Sequence, residues 1–299
     1  MTINLRDLEY LVAVDEERHF HRAAERCFVS QPTLSGQLKK LEERLGIQLI
    51  ERSTRQVVMT DAGKAVVAQA RRVLAAAKGI REIAESFHDP MAGELQLGLI
   101  PTVAPYLLPL IMPPLKKAFP RLKLWLHEQQ TAVLLERLRN AELDVVILAL
   151  PVPATEEFSE IDLFREPFWM ALPKGDSLLD KGEASLSDLN EREVMLLEEG
   201  HCLREHALDV CLTAGAIEHS AFHATSLETL RHMVGEGMGI TLIPELAVPK
   251  RRSKQDAVQY LPFGSPPPSR RIGVLYRKGS YREASFTALA ETIQESVTV

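Results

Sequence analysis

Between Asp61 and Phe87, apolar residues recur at Val66, Ala70, Val73, Ala77, Ile80, Ala84 and Phe87, at alternating spacings of four and three. No other feature constrains the chain as strongly. This periodicity writes one long helix with a single apolar stripe. A stripe of that length needs a partner helix to cover it, so the segment reads as a dimerisation element. His88, Asp89 and Pro90 end it. The helix separates a helical head from a longer stretch of different texture.

In the head, Leu5, Leu8, Leu11 and Val14 form one amphipathic stripe, His21 to Cys27 a short Ala-rich helix, and Ser30 to Leu45 a third helix. The tight Phe28-Val29-Ser30 link joins the last two. Ser30 followed by Gln31 and Pro32 has the form of an N-cap with proline in the first turn. Two short helices joined this way predict a helix-turn-helix. After Gly46, Gln48 to Thr60 alternates apolar and polar residues around Arg52, Ser53, Thr54 and Arg55, as a small hairpin wing would. Cys27, beside Phe28, reads as a small apolar core residue.

The second helix of such a motif faces base edges with its first residues. Here these are Ser30, Gln31, Pro32, Thr33, Ser35 and Gln37, with Lys39, Lys40 and Arg44 further along. Gln pairs with adenine, Ser and Thr take base or phosphate, and Lys and Arg neutralise phosphate. A plain capped, solvent-facing helix would look similar. Charge localises the argument. Residues 1–89 carry 14 Lys and Arg against 13 Asp and Glu, a net +1, and the remainder carries 21 against 28, a net −7. Any nucleic-acid contact therefore belongs to the head.

Beyond Met91 strands and helices alternate: Leu95 to Ile100 then a helix from Thr102, Leu122 to Leu126 then a helix from Ala132, and Asp144 to Leu150 as a buried strand. A second series follows in Trp169 to Leu172, Val194 to Leu197, a helix at Ser226 to Val234 and a strand at Ile240 to Ile243. Ile272 to Tyr276 and the last helix return to the first series. Alternation predicts parallel sheets with helices on both faces, arranged as two linked α/β lobes with a cleft between them. The 299 residues, 45% of them hydrophobic, suffice for these cores. The N-terminus lacks the pattern of a signal peptide, and no apolar run is as long as a membrane span. Three cysteines are too few for a secreted disulfide scaffold, so a reducing cytoplasm is expected.

Cys202 follows the strand Val194 to Leu197 and opens a helix on which Leu203, Ala207 and Cys211 share an apolar stripe. A helix start and nearby cations favour a thiolate, and His201 and Arg204 are the candidate cations. Nine helical residues rise about 13 Å, whereas a disulfide needs Cα atoms within about 7 Å. If both cysteines lie on that helix, joining them requires melting it. Two inert core cysteines are the plainer alternative.

The run Arg22-Ala23-Ala24, Phe28-Val29-Ser30-Gln31-Pro32-Thr33-Leu34-Ser35, Leu38-Lys39-Lys40-Leu41-Glu42, Leu45-Gly46, Leu49-Ile50-Glu51-Arg52 and Thr60-Asp61-Ala62-Gly63 resembles the LysR-type transcription regulators. Gly200-His201-Cys202-Leu203-Arg204, Cys211, Ala224 to Arg231 and Gly239-Ile240-Thr241-Leu242 resemble the peroxide-sensing members of that family. The resemblance implies an all-α winged helix-turn-helix domain at 1–60 and a dimerising linker helix at 61–90. It further implies an α/β periplasmic-binding-protein-like regulatory domain at 91–299, built of two doubly wound subdomains (I, about 91–165 and 269–299; II, about 166–268). Cys202 would be the peroxidatic thiol and Cys211 its resolving partner. Thr102, Thr131, His201 and Arg270 would contact hydrogen peroxide, with Arg271 the alternative to Arg270. Lys40, Arg52 and Arg55 join the residues facing DNA. The implied partners are double-stranded promoter DNA, hydrogen peroxide, RNA polymerase and copies of this chain as a dimer of dimers. No cofactor, no metal and no enzymatic turnover are implied.

Three other readings compete. A thiol peroxidase or cysteine hydrolase would use Cys202 and His201, but adjacent residues seldom hold nucleophile and base in register. A zinc sensor would draw on His201, Cys202, His206, Cys211, His219 and His223, with His219 and His223 on one face if that stretch is helical. A regulator of the same family could answer a small metabolite with its cysteines incidental. Thr225 and Glu228 read as a capping box.

Overall fold

The computed structural model describes residues 3–52, 57–86, 91–152 and 155–297, which fall into two units. The first is the helical head. Helices α1 (Leu5–Glu17), α2 (Phe20–Arg26) and α3 (Gln31–Leu45) bury Leu11, Val14, Ala23, Leu34, Leu38 and Leu41 against one another. Leu5, expected on the α1 stripe, is exposed, and Tyr10 and Ala13 are buried in the same helix. Strands β1 (Ile50–Arg52) and β2 (Val57–Met59) pair antiparallel. Ser53, Thr54 and Arg55 lie outside the described residues.

Helix α4 (Asp61–Ser86) is the long helix expected from the seam. It opens against the hairpin so closely that a Cβ on Gly63 would sit 2.0 Å from the Leu49 carbonyl oxygen. Val67 and Ala70 are buried where α4 meets α1, and Arg71 bonds Asp15 and Glu16 there. Further along, Val73 is 37% and Ile80 72% exposed. Phe87, His88, Asp89 and Pro90 lie outside the described residues.

The second unit contains two lobes. In the first, β3 (Gly93–Leu99) pairs in parallel with β4 (Leu122–Glu128) and β5 (Val145–Leu150), linked by α5 (Ala104–Ala118) and α6 (Thr131–Arg139). The core of Leu97, Ile111, Leu138, Ile147, Val274 and Leu289 fills it, the last from the closing helix α9 (Glu283–Val297). In the second lobe β7 (Glu193–Leu197) and β8 (Ile217–Ala224) pair in parallel beside α7 (Cys202–Ala214) and α8 (Leu227–Gly235). Met170, Met195, Leu196, Leu230 and Ile243 form its core.

The expectation of parallel sheets throughout is corrected by four pairings. Strand β6 (Phe158–Pro173) carries the chain into the second lobe, and β11 (Ser269–Arg277) brings it back. Because one leaves and the other returns, they pair antiparallel, and β11 is antiparallel to β5 as well. Strands β9 (Thr241–Pro244) and β10 (Val258–Pro262) also run antiparallel to the far half of β6. The result is one mixed seven-stranded sheet. Among the described residues no helix is long and apolar enough to cross a membrane.

Candidate functional site

Three segments that the sequence placed after strands meet at one small, narrow recess. Its walls are Ile100, Pro101 and Thr102 after β3, Gln130 and Thr131 at the start of α6, and Gly200, His201 and Cys202 at the start of α7. Cys202 is the first residue of α7, and His201, in extended backbone, is its N-cap. Gly200 makes this approach possible. Its φ is +92°, and a Cβ there would lie 2.8 Å from Gln130 Oε1, so both conformation and space select glycine.

Thr102 is buried and held by Arg270 of β11. Arg270 Nη1 donates to Thr102 Oγ1 (2.9 Å), Nη2 to the Thr102 carbonyl (3.0 Å) and Nε to Glu166 Oε2 (2.8 Å). Glu166 also accepts from the Leu246 amide (3.0 Å). The Arg270 and Glu166 side chains are 0% and 2% exposed. A pair this deep survives only because its donors and acceptors are bonded. Arg270 is thus not a wall of the recess but stands behind Thr102. Its neighbour Arg271 points to the opposite face of β11, to Asp162 and Glu160 at the surface.

With its oxygen taken by Arg270, the Thr102 hydroxyl is left to donate its own proton elsewhere. Thr131 Oγ1 is buried and has no hydrogen-bond partner, which is unusual for an interior hydroxyl and leaves it available to a guest. His201 is buried, and burial lowers its pKa against the weaker opposing pull of Glu198. It is therefore a neutral imidazole near pH 7, and the cationic role expected of it is corrected. Arg204 is likewise unavailable as a free cation, because its Nη1 donates to Glu218 Oε1 (2.6 Å) and to the Leu197 carbonyl (3.2 Å). Neither side chain therefore supplies a free positive charge at Cys202.

Cys211 lies on the same continuous helix, buried beside Leu203 and Ala207. Burial and the nearby Glu218 push its thiol up to about 11, so it is protonated. The helix closes past it on Gly215, with Ala216 N donating to the Cys211 carbonyl. The nine-residue separation keeps the two Cα atoms about 13 Å apart along the axis, beyond disulfide reach. His206, on the turn between them, has a buried Nδ1 without a partner. Its pKa is lowered by burial and by the Arg270 charge.

Several other expectations are corrected. The stretch holding His219 and His223 is strand β8, not helix, and His223 Nε2 meets Glu218. The cap of α8 is Ser226, bonded to the Thr229 amide, rather than Thr225; Glu228 instead accepts from Tyr106 and Arg231. Cys27 is half-buried on the edge of the head's core, where burial raises its pKa. Glu166, Gln130 and His206 were absent from the expected site. Glu166 and Gln130 carry no local signal, because their partners come from distant strands and loops.

In the head, Ser30 caps α3 by accepting from the Thr33 amide, with Ser30, Gln31, Pro32 and Thr33 exposed and Ser35 and Gln37 half-buried. Lys40 is exposed and Lys39 lies 3.9 Å from Glu43. Arg44, expected to neutralise phosphate, is turned inward onto buried Asp7 (3.0 Å). Arg52 closes β1, and Arg55 lies outside the described residues.

Two family models match the chain: the bacterial regulatory helix-turn-helix protein of the lysR family over residues 5–64, and the LysR substrate binding domain over 88–298. The chain is 51% identical over 292 residues to the DNA-binding transcriptional dual regulator OxyR of Escherichia coli, covering 98% of this chain and 95% of that one. A full-length OxyR variant from Pseudomonas aeruginosa matches with a TM-score of 0.83 at 37% identity, over 98% of this chain and 95% of that one. The oxidized form of OxyR matches with a TM-score of 0.64 at 47% identity, over 70% and 98%.

Proposed function

The chain belongs to the LysR family of bacterial transcription regulators and to its peroxide-sensing OxyR branch, and from that premise we propose how its own residues sense and report hydrogen peroxide. The Cys202 thiolate attacks one peroxide oxygen. An S–O bond forms, the O–O bond breaks, and the second oxygen leaves as hydroxide and is protonated to water. Cys202 becomes a sulfenic acid and the peroxide is reduced by two electrons. The leaving oxygen gathers negative charge, which the hydroxyls of Thr102 and Thr131 meet as donors. His201 borders the same recess as a neutral partner, and Arg270 acts through Thr102, fixing which way that hydroxyl points.

Cys211 then displaces the sulfenic hydroxyl. The S–S bond forms as the S–O bond breaks, and the Cys211 proton leaves with the oxygen as water. The observation that carries this reading is the recess at Cys202 with its unpartnered Thr131 hydroxyl. The continuous α7 between the cysteines supports a switch: the second step requires that helix to unwind.

In this reading residues 1–60 are a winged helix-turn-helix with β1 and β2 as the wing, and 61–90 a linker whose exposed Val73 and Ile80 face a second copy. Residues 91–299 are a periplasmic-binding-protein-like regulatory domain, with subdomain I at about 91–165 and 269–299 and subdomain II at about 166–268. Promoter DNA is contacted by Ser30, Gln31, Pro32, Thr33, Ser35, Gln37, Lys40, Arg52 and Arg55. The protein works in the cytoplasm as a dimer of dimers. Unwinding α7 changes how regulatory domains pair and hence the spacing of the heads, which activates antioxidant genes through RNA polymerase.

Thiol counting by mass spectrometry after brief exposure to stoichiometric hydrogen peroxide tests the chemistry. A Cys202–Cys211 disulfide in the native chain, with sulfenic acid trapped on Cys202 in Cys211→Ser, is expected. Survival of both thiols would leave a regulator of this family with another effector.

A further inference from the structure

Glu166 also borders a second, larger cavity of about 630 Å³, formed where α5, β6, the turn after β9 and the end of α9 come together. That volume is in the range of small-molecule sites. Its lining mixes polar and apolar surface, and three aromatic side chains, Tyr106, Phe164 and Trp169, belong to it with Leu110 and Leu246. Its mouth is cationic, from Arg165, Lys250 and Arg252.

The cations are not neutralised. Among the described residues Arg165 and Lys250 are exposed and form no ion pair, and Arg252 lies over the Trp169 ring at 5.0 Å. Of the two carboxylates present, Glu166 is already committed to Arg270 and the Leu246 amide, which leaves Glu245 alone against three positive charges. This cluster stands in the part of the chain whose net charge is −7, so it is a local departure from its surroundings. Three aromatic rings beside a cluster of cations suit an aromatic ring system carrying a carboxylate or sulfonate.

We propose that this cavity is a ligand site for aromatic organic anions, separate from the thiol recess and independent of the peroxide reading. It shares one wall, Glu166, with the ion pair that holds Thr102.

The chain has two tryptophans, so Trp125→Phe leaves Trp169 as the sole reporter inside the cavity. The reduced full-length protein carrying that change is titrated with 1-anilinonaphthalene-8-sulfonate. We expect saturable loss of Trp169 emission, weakened more than tenfold by Arg165→Glu with Lys250→Glu. The uncharged N-phenyl-1-naphthylamine should bind at least tenfold more weakly. Both substitutions are at exposed positions and leave Trp169 and its stacked Arg252 in place. Absence of saturable quenching, which a second copy seated over the cavity would also produce, overturns the site. So does equal affinity for the neutral probe, or affinity that ignores the charge reversal.

Discussion

Replacing Asp209 with lysine asks whether α7 must unwind for the two thiols to join. Asp209 is exposed, lies between the cysteines and places a negative charge in the C-terminal half of the helix, against its dipole. Lysine has the better helix propensity by about 0.4 kcal/mol. It also gains an i,i+4 pair with exposed Glu205 worth about 0.2–0.5 kcal/mol. With the dipole term the reduced helix gains about 1 kcal/mol. If α7 is lost in the disulfide form, the whole gain belongs to the reduced state. The potential of the thiol pair then rises, becoming less negative, by about 20 mV. Glu205→Gly removes about 0.5 kcal/mol of propensity and should shift it about 10 mV the other way. Equilibration in glutathione buffers, acid quenching and mass analysis of alkylated thiols gives both values. Potentials that stay fixed, or move together, would mean α7 persists when the cysteines are joined, and the unwinding argument would be wrong.

Arg270→Met strands Glu166 as a buried, unpaired charge and should cost about 3–5 kcal/mol in urea unfolding, most of it recovered by adding Glu166→Leu; equal losses in the single and double variants would refute this. Thr131→Val exchanges a partnerless buried hydroxyl for a methyl, so stability should hold or rise slightly while the rate of Cys202 oxidation by peroxide falls about tenfold. An unchanged rate would remove Thr131 from the chemistry. Burial holds His201 and His206 below the ordinary imidazole pKa in the folded state. Their contribution to stability is therefore full above about pH 6.5 and lost as the pH falls through their lowered values. Urea midpoints of the reduced protein at pH 7.5 and 5.5, with His206→Gln alongside, should show a smaller acid loss in the variant.

Periodicity made the long helix and its neighbours readable, because the seam of α4 and the cap at Ser30 are local properties of the chain. Thr102, Thr131, His201 and Cys202 could be placed for a similar reason: each follows a strand, and strand ends meet in a folded sheet. What the sequence concealed depends on distant partners. His201 and Arg204 look like cations beside a thiol until burial neutralises one and Glu218 occupies the other. Glu166 is one acid among many in a charged strand, and its pairing with Arg270, 104 residues away, leaves no local trace. The antiparallel run of β6 and β11 was hidden because alternation of elements does not say in which direction a chain returns.

That long strand bears on how a signal could leave the thiol recess. Near its middle, β6 passes from pairing with β11 in one lobe to pairing with β9 and β10 in the other, so one backbone ladder is anchored in both cores. A clamshell that opened freely around its guest would have to break or shear those bonds. A guest as small as hydrogen peroxide makes too few contacts to drive such a movement. In the mechanism proposed above, unwinding the thirteen residues of α7 leaves that sheet whole. On that proposal the sheet is a rigid mount and α7 the one spring on which the chemistry acts.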